Sequence, residues 1–231
     1  MSKLSEQLIK VLNEVNETAA AAGREPDTVK LLAVSKTFPA SDVLEAYQAG
    51  QKEFGENRVQ ELEQKVPDLP RDIVWHLIGH LQSNKAAKAA ELADWVHSVD
   101  SVKLVKKLSD AAQKAGKSLN ILLEINVSGE ESKYGIRSKE ELFQVAEAAI
   151  AAPAIQWKGL MTMAPADAEG NELKAVFAGL RQMRDELEQK YSVTLPELSM
   201  GMSGDYPAAI AEGATIVRIG TAIFGGRDYS K

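Results

Sequence analysis

The stretch Leu31-Leu32-Ala33-Val34-Ser35-Lys36 is a short apolar run that ends in a lysine and is followed by Thr37-Phe38-Pro39. A run of this length, bounded by a proline turn, predicts a buried strand with Lys36 at its carboxyl end. An amine held against apolar walls loses hydration, which lowers its pKa and makes it a better nucleophile towards aldehydes. Lys36 is therefore a candidate for Schiff-base chemistry, although a solvated lysine that opens an ordinary loop fits the same position.

Similar apolar or β-rich runs recur along the chain, and helical stretches fill nearly every interval between them. The predicted strands are 30–36, 52–55, 73–79, 95–99, 119–127, 156–162, 197–200 and 215–219. Strands that alternate with helices pair in parallel through right-handed crossovers. Eight such units within about 200 residues favour a closed (β/α)8 TIM barrel over an open sheet. We expect an α/β fold with one barrel domain over residues 1–231 and an extra amphipathic helix at the amino terminus.

Composition narrows the possible functions. The 231 residues are 45% hydrophobic and contain no cysteine, which excludes disulfides, thiolate zinc sites and thiol catalysis. The net charge is −6 and basic residues alternate with acidic ones, so we do not expect a nucleic-acid partner. No apolar stretch approaches the roughly 20 residues of a membrane span, and the first twenty residues do not resemble a secretory signal. We expect a cytoplasmic protein.

Barrel enzymes place their chemistry at the carboxyl ends of the strands. Two neighbouring strand-to-helix turns there contain glycines and hydroxyls, at 199–204 and 219–222, and they offer backbone N–H groups to a dianion. Together they predict a phosphate site at Ser203, Gly220 and Thr221. Ser203 could instead cap the helix that follows it, and Asn57, with Gln60 three residues later, could do the same for its own helix.

Other candidate side chains have less specific patterns. Arg218 lies inside a predicted strand, and a buried guanidinium must find acceptors, either a structural ion pair or a ligand. His76 and His80 lack the carboxylates of a metal-binding pattern, so no metal is expected. The methionines at 161, 163, 200 and 202 are either core residues, favoured for at least half of them, or adaptable apolar walls around a flat ring.

In combination, a strand-end lysine, a phosphate cradle and an adjacent arginine outline a pyridoxal 5′-phosphate site. The sequence also resembles the pyridoxal phosphate homeostasis protein family over nearly its whole length. The segments that carry the resemblance are Ala33-Val34-Ser35-Lys36-Thr37, Phe54-Gly55-Glu56-Asn57, Trp75-His76-Leu77-Ile78-Gly79-His80-Leu81-Gln82-Ser83-Asn84-Lys85, Gly159-Leu160-Met161-Thr162-Met163, Leu198-Ser199-Met200-Gly201-Met202-Ser203 and Val217-Arg218-Ile219-Gly220-Thr221-Ala222-Ile223-Phe224-Gly225.

The resemblance implies a barrel of the alanine-racemase N-terminal-domain type. It implies that pyridoxal 5′-phosphate (PLP) forms a Schiff base with Lys36, and that the protein acts in intracellular cofactor homeostasis and affects amino and keto acid pools, with no established turnover. The residues expected to bind the cofactor are Lys36, Asn57, His76, Met200, Ser203, Arg218, Gly220 and Thr221.

Two hypotheses follow from these patterns. The first, which we favour, is a monomeric carrier that holds PLP reversibly and passes it to apoenzymes. A cationic Arg218 beside the pyridine nitrogen disfavours its protonation and weakens the ring as an electron sink. The sequence ends at Lys231, so we also expect no appended β domain to supply a second base. The alternative is an amino-acid racemase or lyase of low activity with Tyr134, His76 or Lys133 as second base. Lys133 has two other interpretations: a transient second amine in cofactor transfer, or only a solvated loop residue.

Overall fold

The chain folds into a closed barrel of eight parallel strands. The computed structural model describes residues 2–130 and 133–226. Each strand pairs with its neighbours in sequence, and β8 closes the barrel on β1. The strands are β1 Lys30–Val34, β2 Glu53–Glu56, β3 Val74–Leu77, β4 Trp95–Val99, β5 Leu119–Glu124, β6 Ile155–Met161, β7 Glu197–Met202 and β8 Ile216–Ile219. The predicted (β/α)8 TIM barrel is confirmed.

Helices surround the barrel, and one precedes it as predicted. They are α1 Lys3–Ala21, α2 Ala40–Gln48, α3 Val59–Lys65, α4 Ala86–Leu92, α5 Val102–Lys114, α6 Lys139–Ala151, α7 Gly170–Tyr191, α8 Tyr206–Ala211 and α9 Thr221–Phe224, with 3-10 turns at Val66–Asp68 and Ser83–Lys85. The Ser101 and Ser138 side chains accept hydrogen bonds from backbone N–H groups in the first turns of α5 and α6. Both helices therefore begin where capping residues predict. Among the described residues, no helix is both long and apolar enough to cross a bilayer.

Several strands end earlier than the apolar patterns predict. β1 ends at Val34 because the chain turns sharply at Thr37, whose φ of 71° lies in the left-handed region. β3 ends at Leu77, and Gly79 then passes so close to the loop after β2 that a Cβ would lie 2.3 Å from the Asn57 carbonyl oxygen. These early ends place Lys36 and Gly79 in loops at the carboxyl face, where barrel proteins build their ligand sites.

The core has two parts with different chemistry. An apolar layer between barrel and helices includes Met200 and Phe177, both fully buried. The barrel interior is partly polar: the His97 side chain of β4 contacts Ser199 of β7, and because these strands are not neighbours, the contact crosses the interior. The interior therefore connects residues from distant parts of the sequence and supports the site at its carboxyl end.

Candidate functional site

A pocket of about 530 Å³ opens at the carboxyl ends of the strands. Its walls come from the loops after β1, β2, β3, β6, β7 and β8, together with Tyr134 from the connection after β5. The lining residues are Val34, Lys36, Phe38, Asn57, Ile78, Gly79, His80, Tyr134, Met163, Met202, Ser203, Gly204, Arg218, Gly220, Thr221 and Gly225. Its position is the one at which barrel proteins build their ligand sites.

Lys36 enters this pocket from a firmly held turn. The preceding Ser35 is fully buried; its hydroxyl donates to the Glu56 carboxylate at 2.7 Å, and its carbonyl accepts from the Lys65 ammonium at 2.9 Å. On the other side, the Thr37 N–H donates to the Glu61 carboxylate at 2.7 Å. Because both neighbours of the half-buried Lys36 are fixed, the direction in which its side chain leaves the backbone is also fixed.

The predicted phosphate loops lie side by side. The Thr221 and Ser203 hydroxyl oxygens are 3.5 Å apart, and both residues line the pocket. Gly220 has no room for a side chain, since a Cβ would lie 2.9 Å from the Val34 carbonyl oxygen. Ser203 does not cap α8, which begins after Asp205. Its hydroxyl is therefore not used by the helix end and is available to a ligand.

Asn57 also lines the pocket instead of capping a helix. Helix α3 begins after Arg58, whose N–H donates to the Glu61 carboxylate at 3.1 Å. The predicted cap at Asn57 with Gln60 is therefore wrong by one residue. The shift frees the Asn57 side chain for the pocket.

Arg218 forms the buried floor of the pocket. Its guanidinium donates to the Ser199 hydroxyl at 2.7 Å and to the Thr162 carbonyl at 2.9 Å, and only 4% of the residue is exposed. No carboxylate of the described residues lies within ion-pair distance of it, so the alternative of a direct structural ion pair does not hold there. Burial lowers the pKa of Arg218 to about 10, partly offset by Asp205 and Glu124, which leaves the side chain cationic at neutral pH.

The opposite wall is aromatic and apolar. The His80 and Tyr134 rings stack with centroids 3.8 Å apart, and His80 Nδ1 lies 3.6 Å from an Asp100 carboxylate oxygen. Of the four methionines considered in the sequence, Met163 and Met202 line the pocket as apolar walls, and Met161 and Met200 are buried. Nothing in the sequence selects His80 over other residues near strand ends. Tyr134 lies between strands in the sequence, and only the folded chain brings it against His80.

Two carboxyl groups lie beneath this wall. Glu124 is 3% exposed at the end of β5, and among the described residues no donor reaches its Oε2. Burial, reinforced by the charge of Asp100, raises the pKa of Glu124 to about 7 despite the opposing effect of Arg218. Burial also raises the pKa of Asp100. Glu124 was missed in the sequence because nothing in the pattern of β5 separates it from an ordinary strand-end acid.

Two of the predicted cofactor residues do not line the pocket. His76 is fully buried in the barrel interior, where its ring stacks on Trp95 at 5.5 Å. Met200 follows the inward-facing Ser199, and because side chains alternate along a strand, it points outward into the apolar layer. The structure thus brings six of the eight predicted residues together: Lys36, Asn57, Ser203, Arg218, Gly220 and Thr221.

The described residues contain no group of three or more histidine, aspartate or glutamate side chains that could hold a metal ion. His76 and His80 belong to different environments, one inside the barrel and one in the pocket wall. Their spacing in the sequence therefore does not translate into a shared ligand geometry.

Comparison with known proteins gives the same family as the sequence motifs. Residues 10–228 match the family model described as "Alanine racemase, N-terminal domain". The pyridoxal phosphate homeostasis protein of Pseudomonas aeruginosa is 47% identical over 99% of this chain and 98% of its own, and that of Escherichia coli strain K12 is 40% identical over the full length of both.

Solved structures agree. PipY of Synechococcus elongatus PCC7942, in its structure with PLP bound, is 43% identical, with a TM-score of 0.81 over 91% of this chain and all of that one. Alanine racemase from Streptomyces coelicolor A3(2) shares the fold, with a TM-score of 0.76, 20% identity and coverage of 96% of this chain and 59% of that chain. This chain belongs to the pyridoxal phosphate homeostasis protein family, whose barrel is that of the alanine racemase N-terminal domain.

Proposed function

We propose that this protein binds PLP and acts in cofactor homeostasis, as a carrier that holds the cofactor reversibly on Lys36 and thereby affects amino and keto acid pools. The observation that carries the proposal is that one pocket combines Lys36, the Ser203 and Thr221 hydroxyls and the buried Arg218. When bound, PLP supplies an aldehyde that condenses with an amine. Three of the relatives named above support the proposal, since the PipY structure has PLP bound and the Pseudomonas aeruginosa and Escherichia coli proteins are called pyridoxal phosphate homeostasis proteins.

The residues present fit this cofactor. The Ser203 and Thr221 hydroxyls lie 3.5 Å apart beside Gly204 and Gly220, an arrangement suited to a phosphate dianion. The pocket volume of about 530 Å³ is within the usual range for small-molecule sites, which is roughly 300 to 1,000 Å³. His76 and Met200 support the surrounding structure in this proposal but do not contact the ligand.

Arg218 favours carriage over catalysis. A guanidinium has five N–H donors and no acceptor, and two of the Arg218 donors are already used by Ser199 and Thr162. The others can donate to a ring nitrogen only if that nitrogen is unprotonated. An unprotonated pyridine is a weak electron sink, so this residue restrains the carbanion chemistry that racemases and lyases need.

An enzymatic alternative rests on one observation: Tyr134 lines the same pocket as Lys36, and its phenol could serve as the second base. His76 is less suited to this role because it is sealed inside the barrel. Exchange of the α-hydrogen of amino acids for deuterium separates the two functions. Exchange that depends on both Lys36 and Tyr134 supports the enzyme, and its absence in protein loaded with PLP supports the carrier.

The decisive experiment is covalent trapping. Wild type, Lys36→Ala and Lys36→Arg are incubated with PLP, reduced with borohydride and analysed by peptide mapping. We expect an absorption band and a label on Lys36 in the wild type, and neither in the two variants. Lys36→Arg is the matched control because it keeps the positive charge but cannot condense with an aldehyde. A label that is spread equally over surface lysines in all three proteins would reject the proposal.

The proposal extends to three properties that follow from it less directly. The recipients of the cofactor are apo forms of PLP-dependent enzymes, met transiently and without nucleic acid or membrane. The protein acts in the cytoplasm as a monomer. The whole chain, residues 1–231, forms the PLP-binding domain.

A further inference from the structure

A line of polar contacts crosses the barrel interior from the pocket to the opposite end. Arg218 Nη1 donates to Ser199 Oγ at 2.7 Å, and Ser199 Oγ lies 3.0 Å from His97 Nδ1. His97 Nε2 lies 2.9 Å from His76 Nδ1. His76 Nε2 lies 3.2 Å from Oε2 of Glu53, the first residue of β2, which is ion-pair distance without the geometry of a hydrogen bond. Ser199 and both histidines are fully buried, so the path is closed to solvent from Ser199 to His76, and only the Glu53 end is partly exposed.

The Arg218 end of this path sets the direction of its hydrogen bonds. A guanidinium only donates, so Ser199 Oγ accepts from Arg218 and has one proton of its own to place. His97 Nδ1 is the acceptor that the described residues offer to this proton. In the neutral ring, the His97 proton is then on Nε2, from which it is donated to His76 Nδ1. The His76 proton is in turn on Nε2 and faces Glu53.

The Glu53 end requires the same direction. Burial raises the pKa of Glu53, but the contact with His76 and the positive charge of Lys30 lower it by more, so its pKa is below the ordinary value. Glu53 is therefore an ionised acceptor at neutral pH. The reversed arrangement would aim a His76 lone pair at this carboxylate and leave the buried Ser199 proton without an acceptor, which costs about 1–3 kcal/mol for a buried donor.

His97 also has reason to stay neutral. Burial lowers the pKa of His97 well below its usual value, and the positive charges of Arg218 and Lys30 lower it further. The remaining neighbour is apolar, since the Trp95 ring lies edge-on to His97 at 6.2 Å. A neutral ring with a fixed tautomer suits a hydrogen-bond relay better than a proton store.

We propose that Ser199, His97 and His76 form a hydrogen-bond chain of a single direction that faces the Glu53 carboxylate at its far end and holds the Arg218 guanidinium as a donor facing the pocket, and that His97 is a positioning residue for the ligand. The identity of the ligand rests on the proposed function. The chain links the positive charge of Arg218 to the negative charge of Glu53 without a direct ion pair. It fixes one end of the guanidinium plane while the Thr162 carbonyl fixes the other.

The direction of the chain is tested on the protein without cofactor. The sequence has three histidines, so ¹⁵N NMR of labelled protein gives three imidazole signals, and His76→Gln and His97→Gln each remove one for assignment. We expect His76 and His97 to carry their protons on Nε2, and His97 to remain neutral over about pH 5 to 8, where an unperturbed histidine titrates. A proton on Nδ1 of either ring, or protonation of His97 in this range, would overturn the proposal.

The effect of the hydrogen-bond chain on the pocket is tested with substitutions of its residues. Ser199→Ala and His97→Leu remove the support of Arg218, and we expect each to weaken PLP affinity about tenfold or more, because one hydrogen bond to a charged group is lost. His97→Gln should recover most of this loss, since an amide accepts from Ser199 and donates to His76. The ¹⁵N signal of the bound pyridine nitrogen should differ from that of the wild type in Ser199→Ala and His97→Leu. In His97→Gln it should lie close to the wild-type position.

These outcomes separate the two proposals. Wild-type affinity in both Ser199→Ala and His97→Leu, or equal loss in His97→Leu and His97→Gln, rejects His97 as a positioning residue. If His97→Leu does not fold, Ser199→Ala decides, because it removes only a hydroxyl. If the wild type binds no PLP, the proposed function fails, while the tautomers of the cofactor-free protein still decide whether the chain exists.

Discussion

Glu124 should make this protein less stable as the pH rises, and replacing it with glutamine should remove that effect. Its carboxyl is buried at the end of β5 without a donor for Oε2 among the described residues, and burial raises its pKa to about 7. A carboxyl with a raised pKa in the folded state binds its proton more tightly there than in the unfolded chain. Its contribution to stability is therefore present below the unfolded pKa and is lost as the pH rises through about 7.

The magnitude follows from the two pKa values. The difference between about 7 and the ordinary 4.5 corresponds to roughly 3 kcal/mol, at about 1.4 kcal/mol for each pH unit. Most of this change falls between about pH 5 and pH 8. Glutamine has nearly the same shape but no charge to bury, so Glu124→Gln should gain on the wild type by up to this amount at pH 8 and by little at pH 5.

The assay is urea denaturation of the cofactor-free protein, followed by circular dichroism at several pH values. Glu17→Gln is the matched control, because it makes the same change of charge on the exposed face of α1. It should follow the pH profile of the wild type. The reasoning is refuted if Glu124→Gln keeps the full wild-type slope, or if it destabilises the protein at pH 8 as much as at pH 5.

Three further substitutions, the first with a matched control, test how the pocket is built. Gly79→Ala places a Cβ 2.3 Å from a backbone oxygen of the loop after β2, so it should lower both the melting temperature and the PLP affinity. Gly204→Ala is its control: the added Cβ meets nothing within 4 Å, and the melting temperature of the cofactor-free protein should be unchanged. Lys65→Met removes the cation beside the buried Glu56 carboxyl, whose pKa burial raises to about 7 even with Lys65 present. The variant should therefore lose more stability in urea denaturation at about pH 9 than at about pH 6, and an equal loss at both would contradict that role. Thr37→Gly relieves a left-handed conformation with a φ of 71° and should stabilise the protein by about 1 kcal/mol in thermal melts, while a clear loss of stability would show that this turn is not strained.

The sequence by itself determined the fold and the two main elements of the site. Apolar runs alternating with amphipathic helices are a local signal, and their number and spacing leave the closed barrel as the favoured arrangement. Lys36 and the loops at Ser203 and Gly220 were found in the same way, because parallel strands bring their carboxyl ends to one face. The assignment of these residues to PLP drew on the family motifs as well as on this geometry.

Only the tertiary structure decided which strand residues face the pocket and what supports them. His76 and Met200 were predicted at the site but lie inside the barrel and in the apolar layer, because alternation along a strand and depth in the barrel cannot be read from residue type. Tyr134 joins the pocket through a long-range contact with His80. The contact of Ser199 with His97 joins strands 102 residues apart in sequence, and the chain of buried hydrogen bonds beneath Arg218 exists only once the barrel has closed.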